Sequence, residues 1–164
     1  MEVLFTPWRY SYITGDHSDE PCFFCRAAED PDDPERLVVF RGDACQVLLN
    51  LHPYTSGHLL VAPLAHIASP VEAESGVSEE IWSLVWKSQR VVGRAYEPAG
   101  FNVGFNLGAA SGAGVPGHFH CHVVPRWPGD TNFMGVVAGV RLIPEDPEAA
   151  WRRLRAYFKD GESE

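Results

Sequence analysis

Five short runs of branched aliphatic and aromatic residues, none longer than nine, are spaced along residues 37–126, and they constrain the fold more than any other feature. Residues 37–41 and 44–51 flank Gly42-Asp43 and read as a β-hairpin with a two-residue turn. Residues 58–64 (HLLVAPL) form a third strand, entered through the turn-forming stretch PYTSG. Residues 101–107 and 118–126 read as two more, joined by a loop of glycine, alanine and serine. One helical pattern interrupts the series: Ser78 is the expected N-cap, Glu79 and Glu80 suit the positive end of the dipole, and Ile81, Leu84, Val85, Val92 and Ala95 share a face. Asp146-Pro147 opens a terminal helix with Trp151, Leu154 and Phe158 on one side.

Strands in a row with one helix inserted and one appended predict an α+β domain built on an antiparallel β-sheet of about five strands with two main helices. The 164 residues suit a single domain, with an aromatic N-terminal arm (1–21) and a C-terminal strand and helix extension (127–164). Trp82 and Trp86, one turn apart, make a second apolar stripe on the inserted helix. Either that stripe meets another subunit, giving a homodimer or higher oligomer, or both rings cover the same core.

The net charge of −9 excludes a general nucleic-acid binder, which would carry a basic face. It does not exclude a phosphate ligand held by backbone N–H groups and a few histidines. Much of the acid falls in EDPDDPE (29–35), a solvated loop. No run approaches a membrane span, and the N-terminus lacks a basic region followed by an apolar one, so a cytoplasmic protein is expected. Cys45 and Cys121 lie in apolar runs as small core residues.

The densest chemistry is His118-Phe119-His120-Cys121-His122. On a strand, alternate side chains share a face, so the three imidazoles would form a row about 6.5–7 Å apart. Such a row either binds a metal or handles phosphate, where a neutral imidazole attacks phosphorus while its neighbours donate hydrogen bonds.

HFHCHVV resembles the signature of the histidine triad family of nucleotide hydrolases and transferases. LNLHP (49–53), the GHLLV run with Pro63, and Pro125-Arg126 extend the likeness over roughly residues 22–127. The resemblance implies that His120 takes up the nucleotide at its α-phosphorus and that His122 and His58 hydrogen-bond phosphate oxygens or aid the leaving group. It also implies that Asn50 binds the ribose and that Asn106 meets the phosphates. By the same likeness Cys22, Cys25, His66 and His118 hold a structural zinc, a donor set that suits a closed tetrahedral shell. From the residues alone, Cys-x-x-Cys has the bite of a metal ligand pair; a redox dithiol is the rival, without the βαβ context of the thioredoxin kind, and two unligated core cysteines are the remaining alternative. No organic cofactor is implied.

Where many triad proteins carry glutamine and then serine or threonine ahead of the first histidine, this chain has Gly114 and Val115. That loop, with TPWRYSY, GFNVGFNLG and VVPRWPGDTNF, is similar to the bacterial diadenosine tetraphosphate phosphorylase branch. The implied reaction is phosphorolysis of diadenosine tetraphosphate to ADP and ATP, with inorganic phosphate seated on N–H groups from Gly112 to Gly114. Two alternatives stand beside it: a hydrolase of phosphoramidates or dinucleoside polyphosphates with water as acceptor, and a zinc-containing nucleotide-binding module without turnover.

Overall fold

The computed structural model describes residues 22–130 and 145–160, so the aromatic arm and the strand expected after residue 130 lie outside the described residues. The elements run α1 (Phe23–Glu29), β1 (Val38–Arg41), β2 (Cys45–Leu49), β3 (Leu59–Pro63), α2 (Ser75–Tyr96), β4 (Gly100–Phe105), β5 (Cys121–Arg126) and α3 (Pro147–Asp160). The five strands form one antiparallel sheet in the order β1-β2-β3-β5-β4.

Alternation along the strands divides the core in two. Val47, Leu49, Leu59, Val61, Cys121 and Val123 point to one face, where α2 and α3 cover them with Leu84, Val85, Val92, Leu154 and Phe158. Val38, Leu48, Leu60 and Ala62 point to the other, under Phe24 and Ala27 of α1. Both faces of the central strands are therefore removed from water, and β2 and β3 are buried at every position. α3 starts as its sequence requires: Asp146 Oδ1 accepts the backbone N–H groups of Glu148 and Ala149 at 3.0 and 3.1 Å.

Several boundaries differ from the sequence expectation, each for a local reason. The long helix begins at Ser75 after an N-cap at Glu74, so Ser78 lies inside it. Glu80 consequently serves a different end: its carboxylate accepts the N–H groups of Asp43 and Ala44 at 2.8 and 2.7 Å. Gly42 donates to the Cys45 carbonyl at 2.9 Å, which centres the turn on Asp43-Ala44, one residue later than expected. A Cβ on Gly42 would stand 2.0 Å from Glu80 Oε1, so glycine permits the approach. The fifth strand begins at Cys121; Phe119 donates to Ile67 instead (2.9 Å), and the chain from His118 to His120 lies outside the ladder. α1, absent from the sequence reading, occupies the cysteine segment.

Trp82 and Trp86 remain 44% and 51% exposed and stack on each other at 5.6 Å, so they do not cover the common core.

Removing the Glu80 carboxylate leaves two turn N–H groups without their acceptor. Glu80→Ala is expected to cost about 1–3 kcal/mol, read as a lower urea midpoint at unchanged slope. A midpoint equal to wild type would show that the turn does not need this anchor.

Candidate active site

The fold brings His58, His120, His122, Asn50 and Asn106 to one end of the sheet. Asn50 follows β2 directly, His58 precedes β3, Asn106 follows β4, and His122 is the second residue of β5. His122 stands between Leu60 on β3 and Gly104 on β4, on the face away from α2. Gly104 puts no side chain beside it, and the space there is open.

Backbone partners determine where each imidazole carries its proton. Tyr54 donates its N–H to His58 Nδ1 at 3.1 Å, and Asn50 Nδ2 reaches the same atom at 3.2 Å. The Asn50 amide is itself oriented by His52, whose N–H donates to Oδ1 at 2.9 Å. With Nδ1 accepting, His58 holds its proton on Nε2 and donates to His122 Nδ1 at 3.0 Å. His122 in turn holds its proton on Nε2, the atom 3.5 Å from the Asn106 carboxamide. Two N–H groups cannot bond each other, so with this tautomer the 3.5 Å approach of Asn106 Nδ2 is a contact and does not engage the His122 N–H. The chain of tautomers thus ends in a neutral N–H donor.

His120 has the opposite polarity. Its Nδ1–H donates to the His118 carbonyl at 2.9 Å, which leaves the Nε2 lone pair uncommitted by this bond. Burial lowers its pKa, with the carbonyl partner opposing. His122 is pushed down to about 4, first by burial and then by neighbouring His120. Desolvation therefore keeps both rings uncharged at neutral pH, one as a potential nucleophile and one as a donor.

His118 turns away from this pair. Its Nε2–H donates to the Pro63 carbonyl at 2.9 Å, so Nδ1 faces Cys22 and Cys25 Sγ at 3.4 and 3.7 Å with a bare lone pair. His66 Nδ1 lies 3.3 Å from Cys25 Sγ. The four donor atoms lie within 4.8 Å of one another. The S···N distances match the edge of about 3.5 Å that zinc–sulfur and zinc–nitrogen bonds imply for a tetrahedron. The Pro63 carbonyl is the outer partner that metal-ligating histidines ordinarily have. In the absence of metal the Cys25 thiol is pushed up to about 11, by burial first and by Cys22 next. Metal capture would therefore release protons.

The HIT domain model matches residues 33–129. The chain is 36% identical to the AP-4-A phosphorylase of Mycobacterium tuberculosis over 88% of its own length and 78% of that protein's. It is 30% identical to the protein Hit of Bacillus subtilis over 68% and 74%. Among solved structures, a Zn-bound histidine triad family protein from Mycobacterium smegmatis superposes with a TM-score of 0.70 at 26% identity, covering 87% of this chain and 96% of that one.

This chain belongs to the HIT family.

It is a HIT-family nucleotide-processing enzyme, and its five-stranded sheet with three helices is the fold of its structural relatives. Within that frame the structure sorts the residues singled out in the sequence. His58, His120, His122, Asn50 and Asn106 form one connected group, while Cys22, Cys25, His66 and His118 form another directly behind it. The Gly112 N–H is committed to the Ala109 carbonyl at 3.1 Å, closing the turn at Ala109–Ser111. Val115, later in that loop, packs against the cluster that includes Phe24, Leu48 and Leu60.

Two residues of the site carried no sequence signal. Tyr54 acts through its backbone N–H, and its ring also lies 4.8 Å from His58 and 6.0 Å from His122. Phe24 lies against both His118 and His120 at 5.0 and 4.7 Å. Its place inside Cys-x-x-Cys was the only available hint.

No helix among the described residues is long and apolar enough to cross a membrane.

The depressed pKa of His122 fixes a sign. The unfolded chain takes up a proton near pH 6.5 and the folded chain does not, so this residue's contribution to stability falls as pH drops from 6.5 toward 4. The His122 Cε1 carbon resonance should hold its neutral-imidazole position from pH 7.5 to 5.5. A midpoint at 6.5 or above would contradict the desolvated site.

Proposed function

We propose that the enzyme transfers a nucleotidyl group from a dinucleoside polyphosphate to inorganic phosphate through a covalent adduct on His120. The observation that carries this reading is the bond from His120 Nδ1–H to the His118 carbonyl, which puts the lone pair of a neutral ring on Nε2. Diadenosine tetraphosphate is the substrate that the M. tuberculosis relative's name supports.

In the first step His120 Nε2 attacks the α-phosphorus, an N–P bond forms and the P–O bond to ATP breaks. His122 Nε2–H donates to oxygen as charge builds on it, and His58 holds His122 in that tautomer. A donor aimed at developing charge in a dry site is worth about 2.7–4 kcal/mol of barrier. In the second step a phosphate oxygen attacks the same phosphorus, the N–P bond breaks and ADP leaves. Asn50 would meet the ribose with the amide hydrogen not engaged at His58, and Asn106 the phosphates. Gly112 and Gly114 would leave room for an incoming phosphate where bulkier side chains could crowd it. With the Gly112 N–H committed to its turn, that phosphate would rely on later N–H groups of the loop.

Zinc is the metal we assign to Cys22, Cys25, His66 and His118, supported by the donor chemistry and by the Zn-bound relative. When bound it supplies a structural crosslink between α1, the segment after β3 and the chain ahead of β5.

Incubation with diadenosine tetraphosphate should give ADP plus ATP when phosphate is present, and His120→Ala should lose the adduct seen by quenched-enzyme mass spectrometry while still binding nucleotide. AMP as the product with and without phosphate would replace phosphorolysis by hydrolysis. A wild-type chain that never acquires an adduct would leave a binding module.

A homodimer is the second assignment. Among the described residues β4 has a hydrogen-bonded neighbour on one side only, and the stacked Trp82–Trp86 pair stands beside it, with Trp82 edge-on to Phe105 at 6.1 Å. An open antiparallel edge is complementary to its own copy across a twofold axis. Sedimentation should give two chains for wild type and one for the Trp82→Ala, Trp86→Ala variant; a monomeric wild type would overturn the assignment.

A further inference from the structure

The cysteine pair and His120 meet on a single aromatic ring. Phe24 lies between Cys22 and Cys25 at the start of α1 and is 1% exposed. Its ring is tilted 34° against His120 and 39° against His118. Gln46, fully buried on β2, donates its Nε2–H to the Phe24 carbonyl at 2.8 Å, and the cluster around the ring includes Leu48, Leu60 and Ala62.

The hydrogen bond to the His118 carbonyl fixes one atom of the His120 ring, about which the ring can still pivot. A ring packed against it restricts that freedom. Of the two rings against His120, His122 meets it on edge at 62°, whereas Phe24 leans over it at 34° with 4.7 Å between ring centres. Phe24 itself depends on a short helix. α1 has seven residues and no side-chain cap at Cys22, too little to persist without tertiary support. Whatever grips the two thiols therefore also grips the ring between them.

We propose that Phe24 is a positioning residue for His120, and that through it the hold on Cys22 and Cys25 governs how readily His120 takes up a nucleotide. The inference rests on reading His120 as the nucleophile. It makes the metal cluster a determinant of reactivity as well as of stability, by way of a side chain that touches neither substrate nor metal.

The test compares wild type, Phe24→Leu and Phe24→Ala, each with its metal and after chelation, at a temperature where all are folded. Zinc content, affinity for a non-cleavable dinucleotide analogue and the single-turnover rate of adduct formation at saturating diadenosine tetraphosphate are measured separately. Phe24→Ala should slow adduct formation on the order of 10–100-fold, as misplacement of a reacting group does. Its zinc content and analogue affinity should stay at wild-type values, and Phe24→Leu should recover part of the rate. Chelation should slow wild type but add little in the Phe24→Ala background, where the route is already cut. Ring nitrogen spectra give a readout independent of turnover: His120 should show one tautomer in wild type and averaging between two in Phe24→Ala.

An unchanged adduct rate in Phe24→Ala overturns the proposal, as does a loss confined to affinity or a chelation effect equally large in both backgrounds. If Phe24→Ala does not fold, Phe24→Leu decides alone, because it keeps an apolar side chain and loses the flat face. A wild-type enzyme that forms no adduct refutes the nucleophile reading instead.

Discussion

His118 joins two sites that would otherwise be neighbours without communication. Its imidazole is clamped between the Pro63 carbonyl and two thiols, while its own carbonyl takes the Nδ1 proton of His120. The residue can serve both because it stands just ahead of β5, where its carbonyl is not spent on the ladder. Were the strand to begin at His118, that oxygen would face a neighbouring strand, and the lone pair of His120 would lose its direction. The early end of the sheet is thus part of the site.

Burial then performs the electrical work. His58 and His118 have no exposed surface and His120 has 5%. Burial disfavours the charged form of His118, His120 and His122, so these rings stay neutral at neutral pH and differ only in which nitrogen holds the proton. Polarity enters from the backbone: the Tyr54 N–H sets His58, His58 sets His122, and the His118 carbonyl sets His120. Donor and acceptor polarity is thereby assigned to chemically identical side chains by where they stand.

This division explains what was legible in the sequence. Short continuous apolar runs marked the strands because both faces of the central ones are buried and the turns between them carry glycine and proline. Histidine, asparagine and cysteine marked the site because those side chains are uncommon in apolar runs and carry their chemistry in their own atoms. Contributions made through geometry were not legible. Tyr54 supplies a main-chain N–H that any residue except proline possesses, and Phe24 supplies a flat surface, which in a sequence looks like one more core ring. α1 was missed because seven residues do not complete two turns and Phe-Phe-Cys-Arg-Ala-Ala-Glu shows no periodic stripe. Glu80 was misread because its place near a helix start was the local signal, whereas its partner turn lies nearly forty residues earlier.

The acidity of the chain looks at first like an obstacle, since a net charge of −9 repels a polyanionic substrate at long range. Neutral groups order the imidazoles: the Tyr54 N–H, the Asn50 carboxamide and the His118 carbonyl. Arg126, the nearest arginine along the chain, is tied to Asp130 and Asn102. Neutral donors in a desolvated pocket hold a phosphate only at hydrogen-bond distance, where water is excluded and a dipole is strong. Recognition of that kind gains little from long-range attraction and depends on orientation. Rotation of His120 or His122 by several tens of degrees would remove most of it, since a hydrogen bond weakens steeply once the donor angle falls below about 120°. That dependence is why a buried aromatic ring and a main-chain amide matter here as much as the histidines they hold.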